Sequence, residues 1–163
     1  MCGECGFEYR LDEAAAAGTE IVDGVGVLAG LVGDDTADVR TRREPRTWAP
    51  LEYGCHVRDV LLVQRERVLA ARRQVRPTFE PMGRDERVDH DGYAAQDPAS
   101  VVRQLADAAQ LFANVLSRLG PEDWERTVTY NYPAPSERSL RWVAVHTVHE
   151  VRHHTADVRR QLV

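Results

Sequence analysis

The stretch SERSLRWVAVHTVHEVRHHTADVRRQL, residues 136–162, predicts a long amphipathic helix that opens with a serine cap at Ser136 or Ser139 and runs to the end of the chain. At about 100° per residue, its apolar positions fall on one stripe, which is the face expected to pack in a core. Arginines occupy a second face and histidines a third. The apolar stripe consists of Leu140, Ala144, Val148, Val151, Val158 and Leu162.

The histidine face of this helix is the strongest functional signal in the chain. His149 and His153 are one turn apart, at the i, i+4 spacing by which a helix offers two imidazoles to one metal ion. His146 lies on the same arc one turn earlier, Asp157 lies one turn later, and His154 projects to one side. A polar face that happens to be rich in histidine explains the pattern about equally well. The metal hypothesis therefore needs a third ligand from elsewhere.

The best candidate for that ligand is His56, in the helical stretch WAPLEYGCHVRDVLLVQ, residues 48–64. On a helical wheel it projects with Val60 and Val63 toward the predicted interior. A single histidine on an apolar face is more often a core residue than a ligand, but here the last helix supplies two more imidazoles. Three imidazoles and a water form the open site typical of a catalytic zinc or a similar ion.

Charged residues near the predicted ligands are candidates for supporting or catalytic roles. Glu52, Asp59 and Asp157 are expected to hold the second ring nitrogens of the ligands; the alternative is that they are ordinary surface carboxylates. Arg58 is expected to bind a carboxylate on a substrate or thiol. The catalytic candidates are Glu52, Arg58, Asp157 and His146, the last of which is otherwise a spare ligand, a proton carrier or a bystander.

Four helical stretches predict an all-α fold, an antiparallel four-helix bundle with one long crossover loop. The first is weakened by four interior glycines, each costing roughly 1 kcal/mol of helix stability. The crossover, residues 74–98, lacks a sustained period and is expected to cover a site. A brief strand is predicted at RTVTYNYP, residues 126–133. The helices are expected at residues 11–32, 50–73, 97–120 and 136–163, so residues 11–163 form the bundle domain and residues 1–10 a separate N-terminal segment.

The N-terminal segment MCGECGF carries a C-x-x-C-G pattern, in which the glycine permits the tight turn of a zinc knuckle. Cys2 and Cys5 supply only two ligands. The pair is therefore half of a second metal site completed by another part of the chain or by a dimer mate, a redox pair, or part of a disordered tail. Cys55 is expected to be a small buried residue.

Composition excludes several classes of protein. A net charge of −5 and a pI near 5.7 argue against a general nucleic-acid binder. All 21 basic residues are arginine, so no mechanism can use a catalytic lysine. No apolar run approaches the roughly 20 residues of a membrane span, and the first residues do not resemble a signal peptide, so a cytoplasmic location is expected.

The two histidine-bearing stretches resemble a known family. TWAPLEYGCHVRDV, residues 47–60, and VHEVRHHTADV, residues 148–158, are similar to stretches of the DinB-like metal-binding superfamily, which includes mycothiol-dependent maleylpyruvate isomerases. The resemblance runs from about residue 47 to the C-terminus. It implies a four-helix bundle, frequently a homodimer, whose metal ligands are His56, His149 and His153, with zinc as the first expectation and nickel as the second.

The same resemblance implies a metal-dependent S-transferase or isomerase. A bound cation lowers the pKa of a low-molecular-weight thiol, and the thiolate then attacks a small electrophile. Similarity to actinobacterial members implies mycothiol as that thiol. Two alternatives remain open, because fold does not dictate function: a non-catalytic metal-binding or stress-response bundle, and a metal-dependent hydrolase. Neither nucleic acid nor membrane is expected as a partner.

Overall fold

The computed structural model describes residues 1–131 and 134–162, and most of them lie in helices. Four long helices form a four-helix bundle, as predicted, in which the first two each pack against both of the last two. A 3₁₀ segment, Leu11–Ala16, leads into the first of them. The long helices are α1 (Ala17–Val32), α2 (Pro50–Arg73), α4 (Pro98–Leu116) and α6 (Leu140–Leu162).

Helix α1 tolerates its glycines because one of them sits where a neighbouring helix comes close. A Cβ atom on Gly24 would lie 2.9 Å from Cγ1 of Val151 on α6, so a side chain at this position would force Val151 to move. The absence of that side chain lets the two backbones approach and bury their apolar faces. Tertiary packing thus supports a helix that its own sequence favours only weakly.

The segment Leu11–Val32 also corrects an expectation from the sequence. By length and composition it is apolar enough to cross a membrane, with a mean hydropathy of 1.5. In the bundle one face of this segment is buried against α4 and α6. The buried residues of α1 are Ala17, Ile21, Val25, Leu28 and Val32.

The crossover is not the bare loop that was expected, and the fold is not purely helical. The crossover contains a two-residue strand, a short α-helix and a 3₁₀ turn at Tyr93–Ala95. Its strand lies at the edge of a three-stranded sheet, parallel to the middle strand, which in turn pairs antiparallel with the third. The short elements of the crossover give no detectable period in sequence. The short helices and strands outside the four long helices are β1 (Thr78–Phe79), α3 (Arg84–His90), α5 (Pro121–Trp124), β2 (Thr127–Asn131) and β3 (Pro135–Ser139). The strand order in the sheet is β1-β2-β3.

The strand predicted at residues 126–133 is confirmed as β2 over Thr127–Asn131. Its side chains alternate, with Val128 and Tyr130 buried and their neighbours less so, which is the period-2 pattern of a strand with one covered face. The rest of that prediction, Tyr132 and Pro133, lies outside the described residues, as does Val163 at the end of the last predicted helix.

Glu52 has a structural role at the start of α2, which differs from the expected role beside His56. Its Oε2 accepts hydrogen bonds from the Ala49 backbone N–H at 2.8 Å and from Arg42 Nε at 2.7 Å, and its side chain is 2% exposed. Both carboxylate oxygens are engaged, since Arg42 also donates to Oε1 at 2.6 Å. The carboxylate therefore caps the helix and ties down the preceding segment.

Replacing Glu52 with alanine should lower the free energy of unfolding by about 1–3 kcal/mol, because a buried backbone N–H and a guanidinium lose their partner. Urea unfolding would measure the change. A matched control is Glu66→Ala on the same helix, whose side chain is 62% exposed and whose loss should change stability little. Equal stabilities of the two variants would contradict the capping role.

Candidate metal centre

One cavity of about 590 Å³ collects most of the histidines of the chain. Helix α2 forms one wall, α6 another, and the crossover residues 81–86 cover part of it, as the sequence predicted for that segment. Cys2 and Glu4 reach the cavity from the N-terminal segment. The α6 residues that line it are His146, His149, Glu150, His153 and His154.

Three imidazoles in this cavity keep a buried ring nitrogen without a hydrogen-bond partner: His56 Nδ1, His149 Nε2 and His153 Nδ1. A buried polar atom left unsatisfied costs about 1–3 kcal/mol, so each such atom in a folded protein calls for an explanation. One explanation is that the lone pair of each nitrogen faces a position where a metal ion binds. These are the three histidines that the sequence predicts as ligands.

The structure nevertheless does not bring the three predicted ligands into one group of donor atoms. His56 is grouped with Glu150 and His154, whereas His149 and His153 are grouped with cysteines of the N-terminal segment; within each group the donor atoms lie within 4.8 Å of one another. The division arises because adjacent residues of a helix point about 100° apart. His154 therefore faces α2, while His153 faces the N-terminal segment.

His154 is held by two carboxylates. Its Nδ1 lies 2.8 Å from Asp157 Oδ2 and its Nε2 lies 3.6 Å from Glu150 Oε2. Burial by itself lowers the pKa of His154, but these two acids outweigh it and raise the pKa to about 9. An imidazolium ring has no lone pair to offer a metal, so His154 is better suited to orienting Glu150 and Asp157 than to ligation.

His56 is neutral and well placed to bind a cation. It is 3% exposed and packs against the Trp48 ring, with the ring centres 5.1 Å apart. Burial, helped by the positive charge of His154, lowers the pKa of His56 to about 3. The neutral form is the one that coordinates metals.

The rings of His149 and His153 are positioned by groups on their second nitrogens. His149 Nδ1 lies 3.1 Å from the Tyr9 hydroxyl and 3.4 Å from Glu150 Oε1. His153 Nε2 lies 3.3 Å from Glu4 Oε2 and 3.7 Å from an oxygen of Asp157. A proton on each of these nitrogens leaves the lone pair of the other one free for a metal, the usual arrangement of ligating histidines.

His146 belongs to an aromatic wall of the cavity. It stacks on Trp142, with ring centres 4.4 Å apart, and its Nδ1 lies 2.9 Å from the Tyr9 hydroxyl. Burial lowers the pKa of His146 to about 4, so the ring is neutral. The Tyr9 hydroxyl thus links His146 to His149, and no spacing pattern in the sequence predicted this contact.

Arg58 and Asp59 belong to a buried hydrogen-bond network outside the cavity. Arg58 is therefore not placed to bind a carboxylate of a substrate, and Asp59 is not placed to hold a ring nitrogen of a metal ligand. Arg58 donates to Asp59 Oδ1 at 2.8 Å and to Gln96 Oε1 at 2.7 Å. Asp59 Oδ2 accepts from the Tyr93 hydroxyl at 2.6 Å and from Arg87 at 3.2 Å.

The arginines that do line the cavity are Arg67 and Arg84. Arg67 is buried, and its guanidinium lies 4.6 Å from the centre of the Tyr130 ring. Arg84 lies 5.7 Å from the centre of the Trp48 ring. Sequence reasoning missed both because an arginine in a helix usually faces solvent, and nothing local marked these two as exceptions.

Two comparisons with known proteins agree on the fold. The sequence model of one protein family, the DinB superfamily, matches residues 21–158. The structure of YfiT from Bacillus subtilis, described as a probable metal-dependent hydrolase with an unusual four-helix bundle topology, aligns with a TM-score of 0.78 and 15% identity, covering 99% of this chain and 90% of that one. No curated protein sequence matches the chain significantly. At this identity, the likeness to YfiT shows the fold alone.

Proposed function

The chain belongs to the DinB superfamily, and on that premise we propose that it is a metal-dependent S-transferase or isomerase that uses a low-molecular-weight thiol such as mycothiol. The observation that carries the proposal is the set of three unpaired, buried imidazole nitrogens on one cavity. A cavity of about 590 Å³ has the size of a small-molecule site. Zinc is the metal we expect first, and nickel second.

In this proposal His56, His149 and His153 hold the ion. When bound there, the ion lowers the pKa of a thiol so that a nucleophilic thiolate exists at neutral pH. Neutral imidazoles suit this role because they leave most of the positive charge of the ion uncompensated. Tyr9 keeps the His149 ring in place through its hydroxyl.

Polar groups on the α2 side of the cavity would hold the organic part of the substrate. Gln64 donates to the Tyr130 hydroxyl at 3.1 Å, and Arg67 lies beside both. A guanidinium whose other donors are fixed is suited to bind a carboxylate of the electrophile or of the thiol. Arg67 thus takes the part that the sequence assigned to Arg58. The small electrophile, the homodimer and the cytoplasmic location belong to the same proposal.

A metal-dependent hydrolase is the second candidate, and Glu150 is the observation that favours it. Its carboxylate lines the cavity and shares a group of donor atoms with His56 and another with His149. A carboxylate in that position can accept a proton from an attacking water. The description of YfiT as a probable hydrolase points in the same direction.

We expect His56→Ala to reduce metal-dependent thiol consumption at least about 100-fold, a typical scale for losing a group that supports transition-state charge. The assay combines zinc- or nickel-loaded protein, mycothiol and a small electrophile, with metal content measured on the same samples. His90→Ala, which removes an exposed histidine of α3, is the matched control and should keep full activity.

Three outcomes would overturn the transferase proposal. If wild-type protein takes up neither zinc nor nickel, the proposed metal-dependent reaction is wrong. Metal-loaded protein that hydrolyses esters or amides but leaves thiol untouched is a hydrolase. Loaded protein that does neither is a non-catalytic metal-binding bundle.

A further inference from the structure

The N-terminal C-x-x-C-G segment folds back onto the histidine face of α6. Gly6 adopts φ of +69°, and its N–H donates to the Cys2 carbonyl at 2.9 Å, which closes the loop around the two cysteines. Cys2 N–H donates in turn to the Phe7 carbonyl at 2.9 Å. The positive φ favours glycine at this position, and the resulting turn presents both sulfur atoms on one side.

Aromatic contacts hold this segment against α6. The Phe7 ring centre lies 5.3 Å from that of His149, and the guanidinium of Arg152 lies 5.6 Å from the Phe7 ring. Tyr9 stacks beside Trp142, with ring centres 6.1 Å apart. The segment is therefore packed on the helix.

The packing brings two thiols and two imidazoles together. The donor atoms of Cys2, Cys5, His149 and His153 all lie within 4.8 Å of one another, and both cysteines are free thiols. In a tetrahedral zinc site with Zn–S near 2.3 Å and Zn–N near 2.0 Å, neighbouring ligand atoms are about 3.3–3.8 Å apart. The four side chains thus need only small movements to close on one ion.

The ring nitrogens of His149 and His153 that lack hydrogen-bond partners fit this arrangement. His149 Nε2 and His153 Nδ1 are the buried nitrogens without partners, while the opposite nitrogens face Tyr9 and Glu4. Each ring is therefore oriented by a neighbour on one side and open on the side of the cluster.

We propose that Cys2, Cys5, His149 and His153 form a closed Cys2His2 zinc site that joins the N-terminal segment to α6. Two thiolates and two imidazoles fill all four positions of a tetrahedral zinc ion and leave none for a substrate. The segment and His56 therefore compete for the ion held by the α6 pair. The site itself stands without the proposed function; only its consequence, that the segment restrains the proposed reaction, rests on it.

The test uses the full-length protein loaded with Co²⁺, whose bonds to thiolate sulfur absorb strongly in the near ultraviolet. Wild-type protein should show this charge-transfer absorption at one ion per chain, and the double variant Cys2→Ser/Cys5→Ser should lose it. The double variant should also bind zinc at least about 10-fold more weakly in competition with a chelator, since even partners that only orient ligands are worth 10–100-fold.

Two matched variants separate this site from alternatives. Cys55→Ala removes the remaining cysteine, which is buried and far along the chain, and should keep the absorption. His56→Ala should keep it as well, because His56 is not in this set of ligands. Circular dichroism of each variant checks that the bundle is folded, so that a lost signal reports ligation.

The outcomes distinguish the site from the proposed function. Cobalt bound by wild-type protein without thiolate absorption overturns the Cys2His2 site, whatever the enzymatic activity. Thiolate absorption in wild type combined with thiol consumption that rises several-fold in the double cysteine variant supports both proposals. If the absorption is present but neither protein consumes thiol, the site stands and the proposed function fails.

Discussion

Replacing His153 with alanine should abolish stoichiometric metal binding, and His149→Ala should do the same. Both residues belong to the proposed ligand set with His56 and to the proposed ligand set with Cys2 and Cys5, so neither of these two sets survives either change. Each variant should lower zinc affinity by more than about 100-fold, because the loss of a direct ligand exceeds the 10–100-fold typical of its supporting partners.

Competition with a chromophoric zinc chelator measures this affinity directly. Thermal unfolding gives an independent reading, since a ligand at 100 times its Kd stabilises the native state by about 2.7 kcal/mol. Added zinc should raise the unfolding temperature of wild type and leave that of either variant unchanged. Arg159→Ala, an exposed change on the same helix, serves as the control.

His154→Ala decides between the two groups of donors in the cavity. With both ring nitrogens facing carboxylates, His154 should be dispensable for metal affinity. If zinc binding instead survives the loss of His149 and fails with the loss of His154, the ion belongs to His56, Glu150 and His154, and the ligand set derived from unpaired nitrogens is wrong.

Asp59→Ala should be the most destabilising of the changes considered, lowering the free energy of unfolding by about 3 kcal/mol. The Asp59 side chain is 7% exposed and that of Arg58 11%, so the variant leaves a buried guanidinium without its counter-ion. Tyr93 also loses its hydrogen-bond acceptor at 2.6 Å. Asp85→Ala, whose side chain is 78% exposed, is a control that should cost little.

The effect of Asp59 should depend on pH in a defined direction. Burial by itself raises the pKa of this carboxyl, but hydrogen bonds from Arg58 and Tyr93 and the charges of Arg58 and Arg87 outweigh it, so the net pKa is lowered. A lowered pKa in the folded state stabilises the protein above the unfolded value near 3.9 and loses this stabilisation as pH falls further. Urea unfolding of wild type and variant should therefore show a large difference at pH 7 that shrinks below about pH 4. A difference independent of pH would mean that the charge of Asp59 is unimportant.

Local signals explain how much of the fold the sequence predicted. Helix α2 covers the predicted residues, from the proline in its first turn, and α4 begins after Asp97, whose carboxylate accepts the Ser100 N–H at 2.9 Å as a cap should. Such signals lie within a few residues of the element they define. Strand β3 carries no comparable signal, because PSERS becomes a strand only by pairing with β2. The last helix therefore begins at Leu140, and the alternative start at Ser136 is wrong.

The chain by itself determined that α6 presents His149 and His153 on one face, since the i, i+4 spacing follows from helix geometry alone. Only the tertiary structure decided what meets that pair. It brings Cys2 and Cys5 next to His149 and His153, from which they are separated by more than 140 residues of sequence. It also places Arg67 in the cavity wall and puts Glu52 and Asp59 in buried hydrogen-bond networks outside the cavity. The physical reason is that these contacts join elements whose relative positions are set by packing of the whole core, for which no short stretch of sequence carries a signal.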